Sequence, residues 1–288
     1  MHYRIKNVRH IFVLAICWLS SFTACVKPPE TEPNIPVIQP NQEAGAFIIQ
    51  EGNFQWGNAS LGYVNIITGE IEKDLFRKVN NRPIGDVLQS GIMIQDNLWL
   101  AINNSGKIEI VDPKTGQAKH QITGLRSPRY ILPVTDSKVY ISDLYSNSIA
   151  IVDQHLMNII GSIELDGWSE KMLLHTDKVW VTNMTKEYTY IIDIISDKVI
   201  DSIYTGFANH SIVLDKQDHI WILSTGSQST SENGKLTCID PVNMRILKQI
   251  EIQGNGTSSL CISPDKETLY WLKSGVHRLH IENAIVSQ

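Results

Sequence analysis

Short runs in which hydrophobic and polar residues alternate repeat along this chain with a period of about 40 residues. The segments 138–153 (KVYISDLYSNSIAIVD) and 178–193 (KVWVTNMTKEYTYIID) share one order: an aromatic flanked by β-branched residues, a polar loop, and an alternating run ending in Asp. The aromatic position recurs as Trp99, Tyr140, Trp180, Trp221 and Tyr270. The Asp recurs as Asp112, Asp153, Asp193 and Asp240. Period-two alternation and many β-branched residues predict strands rather than helices.

Each repeat contains four short apolar runs separated by turn residues, and we letter these runs A to D. Such a repeat is typical of a β-propeller blade, so we predict an all-β propeller of four-stranded blades. The recurring aromatic lies on strand B, where we expect it to pack between neighbouring blades. Six repeats are visible; the first begins at strand B with Phe47, and the last is unfinished. Either six blades close irregularly or the chain is an incomplete seven-bladed propeller, and we favour the second.

Two of the loops between strands B and C are enlarged. From the strand B aromatic to the strand C Asp, repeats two to four need 13 residues, whereas the first needs 18 and the fifth 19. The additions lie in segments 50–60 (QEGNFQWGNAS) and 224–235 (STGSQSTSENGK). In a propeller the B–C and D–A loops share one face around the channel mouth, and aromatics among amide and hydroxyl groups there are typical of a binding surface. The candidate ligand-binding residues are Asn53, Phe54, Trp56, Asn103, Tyr145, Trp168, Tyr188, Phe207 and His210.

The N-terminus predicts export and a lipid anchor. Three basic residues precede the apolar run 11–20, and the sequence Phe-Thr-Ala-Cys that ends at Cys25 resembles a bacterial lipobox. An ordinary signal peptide cut near Ala24 is the alternative. We predict a lipoprotein signal peptide over 1–25 with lipidation at Cys25, a proline-rich tether over 26–43, and the propeller over 44–288, its last blade incomplete. The expected partner of the anchor is a membrane.

Composition and motifs argue against several function classes. Residues 26–288 carry 22 basic and 30 acidic side chains, which disfavours a nucleic-acid partner. No catalytic or metal-binding sequence motif is found, so we expect neither an enzyme, nor a metal site, nor a cofactor. His210 is the one candidate general base, and joint metal ligation by His277 and His280 is disfavoured because an odd separation on a strand directs them to opposite faces. For Cys238 and Cys261 we favour two buried free thiols over a disulfide.

Several segments together resemble one family. The lipobox, the proline-rich spacer, IQEGNFQWGNASLGYVN (49–65), NNSGKIEIVDPKTG (103–116) and GLRSPRYI (124–131) resemble the YVTN-type β-propeller surface lipoproteins of Bacteroidota. The resemblance implies an outer-membrane, cell-surface protein. It also implies, as in a cobalamin-binding member of that family, capture of cobalamin as a transported ligand for a TonB-dependent transporter. A glycan- or protein-binding propeller is the alternative, and a lactonase-like hydrolase is a second one.

Overall fold

The computed structural model describes residues 44–282, which form six antiparallel sheets arranged as the blades of a β-propeller. The predicted all-β propeller is therefore confirmed. The predicted signal peptide, the lipidation site Cys25 and the tether over 26–43 lie outside the described residues and stay predictions. Within residues 44–282, no helix is long and apolar enough to cross a membrane.

Four sheets have four strands each, and two have three. Sheets 2 to 5 contain strands A to D in chain order, sheet 1 (β1–β3) begins at strand B, and sheet 6 (β20–β22) has strands A to C within residues 44–282. The strands are β1 (Gly45–Gln50), β2 (Ser60–Asn65), β3 (Ile71–Glu72), β4 (Leu88–Ile94), β5 (Asn97–Ile102), β6 (Lys107–Val111), β7 (Ala118–Ile122), β8 (Pro128–Pro133), β9 (Lys138–Asp143), β10 (Ser148–Asp153), β11 (Asn158–Glu164), β12 (Ser169–His175), β13 (Lys178–Asn183), β14 (Tyr188–Asp193), β15 (Lys198–Tyr204), β16 (Asn209–Leu214), β17 (Ile220–Ser224), β18 (Gly234–Asp240), β19 (Arg245–Ile252), β20 (Ser258–Ile262), β21 (Thr268–Leu272) and β22 (Val276–His280).

The aromatic residues of strand B pack between sheets, as predicted. Four of them are fully buried: Trp99, Tyr140, Trp180 and Trp221. Each belongs to a hydrophobic core that combines residues of two successive sheets; for example, Trp180 packs with Ile212 and Ile220 of sheet 5. A further core joins sheets 1 and 2. Side chains of this size are the largest in these cores and each buries about 150–250 Å² between neighbouring sheets.

The fifth aromatic differs from its counterparts. Tyr270 is only half-buried, and Leu272 and Val276 of the same sheet are exposed. Five cores join the six sheets within residues 44–282, and none of them joins sheet 6 to sheet 1. The outer face of sheet 6 is therefore uncovered among the described residues. The predicted incomplete last blade is consistent with this exposure, and a seventh blade stays a prediction.

The two cysteines are free, but only one is buried. Cys238 lies in the core of sheet 5, where burial raises the pKa of its thiol to about 12. Cys261 is exposed on β20, so the expectation of two buried thiols was wrong for that residue. The reason is its place in sheet 6, whose outer face has no covering sheet within the described residues.

A short helix, α1 (Leu75–Asn80), follows the two-residue strand β3 and was not predicted. Its residues Leu75 and Phe76 are fully buried, and Phe76 packs in the core between sheets 1 and 2. The side chain of Asn80 donates to the Gly116 carbonyl and accepts from the Ala118 amide, both at 2.9 Å, so the helix end is fixed to the start of β7. Six residues are too few for a helical period to be recognised in the sequence.

The recurring Asp after strand C closes the turn into strand D. In each case one carboxylate oxygen accepts backbone amides two or three residues ahead; Asp153, for instance, accepts those of His155 and Leu156, both at 2.8 Å. The same contacts occur at Asp112, Asp193 and Asp240. Asn65 does this in sheet 1, which confirms that it is the equivalent residue. The repeat of acidic residues is therefore a repeat of turns.

The burial difference predicts unequal effects of two equivalent substitutions. Trp180→Ala should lower the free energy of unfolding by about 3–5 kcal/mol, because it removes a fully buried aromatic between two sheets. Tyr270→Ala should cost less than half as much, because one side of that ring is uncovered. Urea unfolding followed by far-UV circular dichroism measures both, and equal losses would contradict the assigned packing.

Candidate functional site

The B–C loops and the D–A loops lie on one face of the propeller. In sheets 4 and 5 a polar residue at the start of strand A bonds to the end of strand B in the preceding sheet: the Asp143 amide donates to Ser169 Oγ (3.0 Å), and the Asn183 amide to Asn209 Oδ1 (2.8 Å). The next sheet repeats the contact, since the Thr257 hydroxyl donates to the Ser224 carbonyl at 2.8 Å. These bonds bring the two sets of loops together from sheet to sheet, as predicted.

The 50–60 loop is held to this face by Asp86. Its carboxylate accepts the amides of Gln55 (2.7 Å) and Gly57 (3.2 Å) and the side-chain amide of Asn104 (2.5 Å). Although partial desolvation opposes the effect, these bonds hold the pKa of Asp86 below its usual value. The loop is thus fixed while Phe54 and Trp56 remain 61% and 74% exposed.

The two asparagines predicted to bind a ligand instead make hydrogen bonds within the protein. The Asn53 amide donates to Asn58 Oδ1 (2.7 Å), and its carbonyl accepts from the Trp56 amide (3.1 Å). Asn103 is buried, and its side-chain amide donates to the carbonyls of Ser127 and Pro128 at 3.3 and 3.1 Å. Asn103 therefore joins sheet 2 to sheet 3 and does not lie with the exposed residues of the face.

The second enlarged loop, 224–235, is tied to the D–A loop that carries Phe207. Glu232 accepts the Phe207 amide (3.3 Å), the Tyr204 hydroxyl (3.1 Å) and the Lys235 ammonium (3.0 Å). Phe207 itself is half-buried. Tyr188 is partly exposed and meets the ring of Tyr204 edge to face, with 5.9 Å between ring centroids. These aromatics lie around sheets 4 and 5, apart from the 50–60 loop on sheet 1.

Tyr145 and Trp168 line a common cavity of about 430 Å³, which we call the rim cavity. Its other walls are Leu144, Asn147, Gly167 and Thr185. The ring of Tyr145 is 60% exposed, and the Trp168 amide is held by Thr185 Oγ1 at 3.1 Å. The cavity therefore combines an exposed aromatic, a fixed aromatic and polar side chains, the composition expected where a ligand binds.

A second cavity, of about 260 Å³, lies directly beyond Trp168 at the channel mouth, and we call it the channel cavity. The indole Nε1 of Trp168 donates to Glu170 Oε2 (2.6 Å), and the guanidinium of Arg129 lies 5.1 Å from the indole ring. Arg129 also donates to both oxygens of Glu170 at 2.7 and 2.8 Å and to Gln89. Trp168 thus separates the two cavities and is fixed from the channel side.

A β-bulge near the start of strand A recurs in sheets 2 to 6, and it determines which side chains reach the channel. Bulges redirect side chains from simple alternation. The equivalent positions at this point of strand A are Gln89, Arg129, Glu170, His210 and Ser258. Four of these were missed from the sequence, although their spacing of 40, 41, 40 and 48 residues follows the repeat and could have identified them.

His210 lines the channel cavity and bonds within the wall. Its Nε2 lies 3.1 Å from the Thr257 carbonyl and therefore carries the proton, so the Ser211 hydroxyl donates to Nδ1 at 2.7 Å. A general base needs a nucleophile beside it, and the Ser211 hydroxyl is a group of that kind. However, Ser211 is only 1% exposed. Burial, the largest effect, lowers the pKa of His210 to about 4, so the imidazole is neutral at pH 7.

Lys171 is the next residue of the channel wall. Its ammonium lies 5.7 Å from the centre of the Tyr130 ring. Burial lowers its pKa, while the charge of Glu170 partly offsets that effect. Within residues 44–282 the Lys171 ammonium forms no salt bridge.

The comparison with protein families identifies the domain. The model described as "Domain of unknown function (DUF5074)" matches residues 44–285. The chain belongs to the DUF5074 family. The matched range begins where the described propeller begins, so in this chain the DUF5074 domain is the six-sheet propeller together with both cavities.

Comparisons with curated proteins and with solved structures show nothing beyond the fold. No curated protein matches the chain. Among solved structures, Kuenenia stuttgartiensis Hydrazine Synthase is similar with a TM-score of 0.55 and 16% sequence identity, over 61% of this chain and 52% of that chain. The alignment spans about half of that chain's length, and at this identity it shows a shared fold and nothing about activity.

The remaining histidines give no metal site among the described residues. His277 stacks on Trp271 and its Nε2 lies 2.8 Å from the Lys273 carbonyl, whereas His280 pairs across the sheet with Thr268. In residues 44–282 no group of three or more His, Cys, Asp or Glu side chains is arranged to hold a metal ion.

The neutral state of His210 predicts a pH effect on stability. Between pH 6.5 and pH 4 the unfolded chain binds a proton that the folded protein excludes, so acidification should remove about 2 kcal/mol of stability between pH 7 and pH 4.5. His210→Gln should show a flatter pH dependence than the parent, measured by urea unfolding. The exposed residue His155 supplies the control, His155→Gln. Identical pH profiles for parent and His210→Gln would contradict the assignment.

Proposed function

We propose that this DUF5074 domain is a ligand-binding propeller that binds its ligand on the face of the B–C and D–A loops. The observation that carries the proposal is the rim cavity of about 430 Å³ between Tyr145 and Trp168. An aromatic that is fixed on one side and open on the other gives a ligand contact area without a large loss of side-chain entropy. Trp168 meets this requirement because Glu170 and Thr185 hold it in place.

The composition of the face favours a broad ligand that is both apolar and polar. Tyr145, Trp168, Phe54 and Trp56 offer aromatic surface, and Asn147 and Thr185 offer amide and hydroxyl groups beside it. Cobalamin matches this description, since its corrin is flat and apolar in plane and carries amide groups at its edge. The specific proposal is capture of cobalamin by a lipid-anchored cell-surface protein that passes it to a TonB-dependent transporter, as the family resemblance implies.

A protein or glycan partner is the second candidate, and one observation favours it. Phe54 and Trp56 are held outward by the Asp86 contacts although both side chains are largely exposed. Large aromatics kept in solvent by a fixed loop are frequent at the centre of protein interfaces. This candidate and the first are compatible, because the 50–60 loop and the rim cavity occupy different parts of one face.

Gel filtration of the purified protein with cyanocobalamin tests the first candidate. The vitamin's absorbance should elute with the protein, and Tyr145→Ala and Trp168→Ala should each weaken binding by about tenfold or more, because each removes one wall of the rim cavity. Leu156→Ala is the matched control, since Leu156 is an exposed large apolar residue in a C–D turn, away from the loop face.

The result separates the two candidates. Absorbance that stays in the small-molecule fraction contradicts cobalamin binding. Recovery of a transporter from outer-membrane extract by the parent protein, and not by a Trp56→Ala variant, supports the partner surface whether or not the vitamin binds.

A further inference from the structure

The channel cavity combines an ion pair that is already satisfied with a cation that is not. Glu170 accepts three hydrogen bonds, two from Arg129 and one from Trp168, at 2.6 to 2.8 Å. The bidentate contact neutralises both charges. Burial opposes a rise in the pKa of Arg129, but the hydrogen bonds and charge of Glu170 raise it nonetheless. Neither member of this pair is therefore available to a ligand without breaking bonds that the fold already makes.

Lys171 provides the remaining charge of the cavity. His210 is uncharged at pH 7, so the charged groups that line the cavity are Arg129, Glu170 and Lys171, which leaves a net charge of +1. The ammonium contacts the face of Tyr130 and has no carboxylate within salt-bridge distance in residues 44–282. A half-buried cation without a counter-ion is costly, and an anionic ligand group would remove that cost.

Neutral donors lie on the opposite wall. Ser258 and Ser259 belong to the first strand of sheet 6, line the same cavity and are exposed to it. Their hydroxyls have no hydrogen-bond partner among the described residues, unlike those of Ser211 and Thr257, which bond within the wall. A cation and free hydroxyls facing one small cavity are the groups that bind carboxylate or phosphate oxygens.

We propose that the channel cavity is an anion subsite, in which Lys171 pairs with a carboxylate or phosphate group and Ser258 and Ser259 donate hydrogen bonds to it. The proposal rests on the proposed function in one respect, since the subsite shares the Trp168 wall with the rim cavity and would bind an anionic group of the same ligand. It extends that function by naming the charge that the ligand carries.

The test uses inorganic phosphate and acetate as probes, so it does not depend on the identity of the full ligand. The lysines of the purified protein are ¹³C-dimethylated, which keeps their charge, and the Lys171 signal is assigned from the spectrum of Lys171→Arg. Titration at constant ionic strength should produce a saturable shift of the Lys171 signal. A response to phosphate alone identifies a phosphate site, and a response to acetate alone identifies a carboxylate site.

Variants separate a specific site from general charge attraction. By isothermal titration calorimetry, Lys171→Gln should weaken binding of the responding anion by about tenfold or more, and Lys171→Arg should retain most of it. Lys178→Gln is the matched control, because Lys178 is paired with Asp177 in an A–B turn away from the loop face. Ser258→Ala should weaken binding by a smaller factor.

Each outcome decides the proposal. The absence of a saturable response to either anion, unchanged binding in Lys171→Gln, or an equal loss in Lys178→Gln overturns it. Anion binding that depends on Lys171 supports it even if cyanocobalamin is not retained in gel filtration. Retention of the vitamin without any anion response contradicts the subsite and leaves the proposed function standing.

Discussion

Burial of one strand B aromatic in each of sheets 2 to 5 is the interaction on which the rest of the structure depends. Trp99, Tyr140, Trp180 and Trp221 each fill the space between their own sheet and the next, and they are fully buried. Because sheets 2 to 5 each meet the following sheet through the same position on strand B, we infer a similar rotation from each of these sheets to the next. That rotation brings the beginnings of all strands A to one region, and both cavities lie there. Packing between the sheets therefore determines where the candidate site lies, although none of these four aromatics lines either cavity.

Polar contacts hold in place the loops that packing between the sheets brings together. The residues that begin strand A, among them Ser169 and Asn209, bond to the backbone of the preceding sheet and are buried. Asp86 does the same for the 50–60 loop. With the backbone fixed, Trp168 and Lys171 can present one side to solvent at little entropic cost. Among the described residues, the resulting face has fixed aromatics, one cation without a counter-ion and hydroxyls without hydrogen-bond partners. These features indicate a ligand that has both an apolar surface and an anionic group.

The repeat made the fold and the face predictable from the sequence, whereas features outside the repeat were not. Trp180 and Asp153 lie 40 or 41 residues from their counterparts in the neighbouring repeats, and such regular spacing indicates equivalent structure. Helix α1 replaces most of a strand in one sheet alone, so no other repeat indicated it. Cys261 follows the repeat but lies in the sheet whose outer face is uncovered, so its burial could not be inferred from its neighbours. Lys171 was missed because a bulge in strand A breaks the alternation by which inward and outward positions are assigned.

The proposed function requires that the loops around Tyr145 and Trp168 bind the ligand. Hydrogen–deuterium exchange with and without cyanocobalamin, read by mass spectrometry, measures this directly along the whole backbone. Exchange should be slower in segments 142–148 and 165–171 when the vitamin is present, and unchanged in the C–D turns at 153–158 and 193–198. Protection confined to the C–D turns, or no protection at either pair of segments, would contradict it.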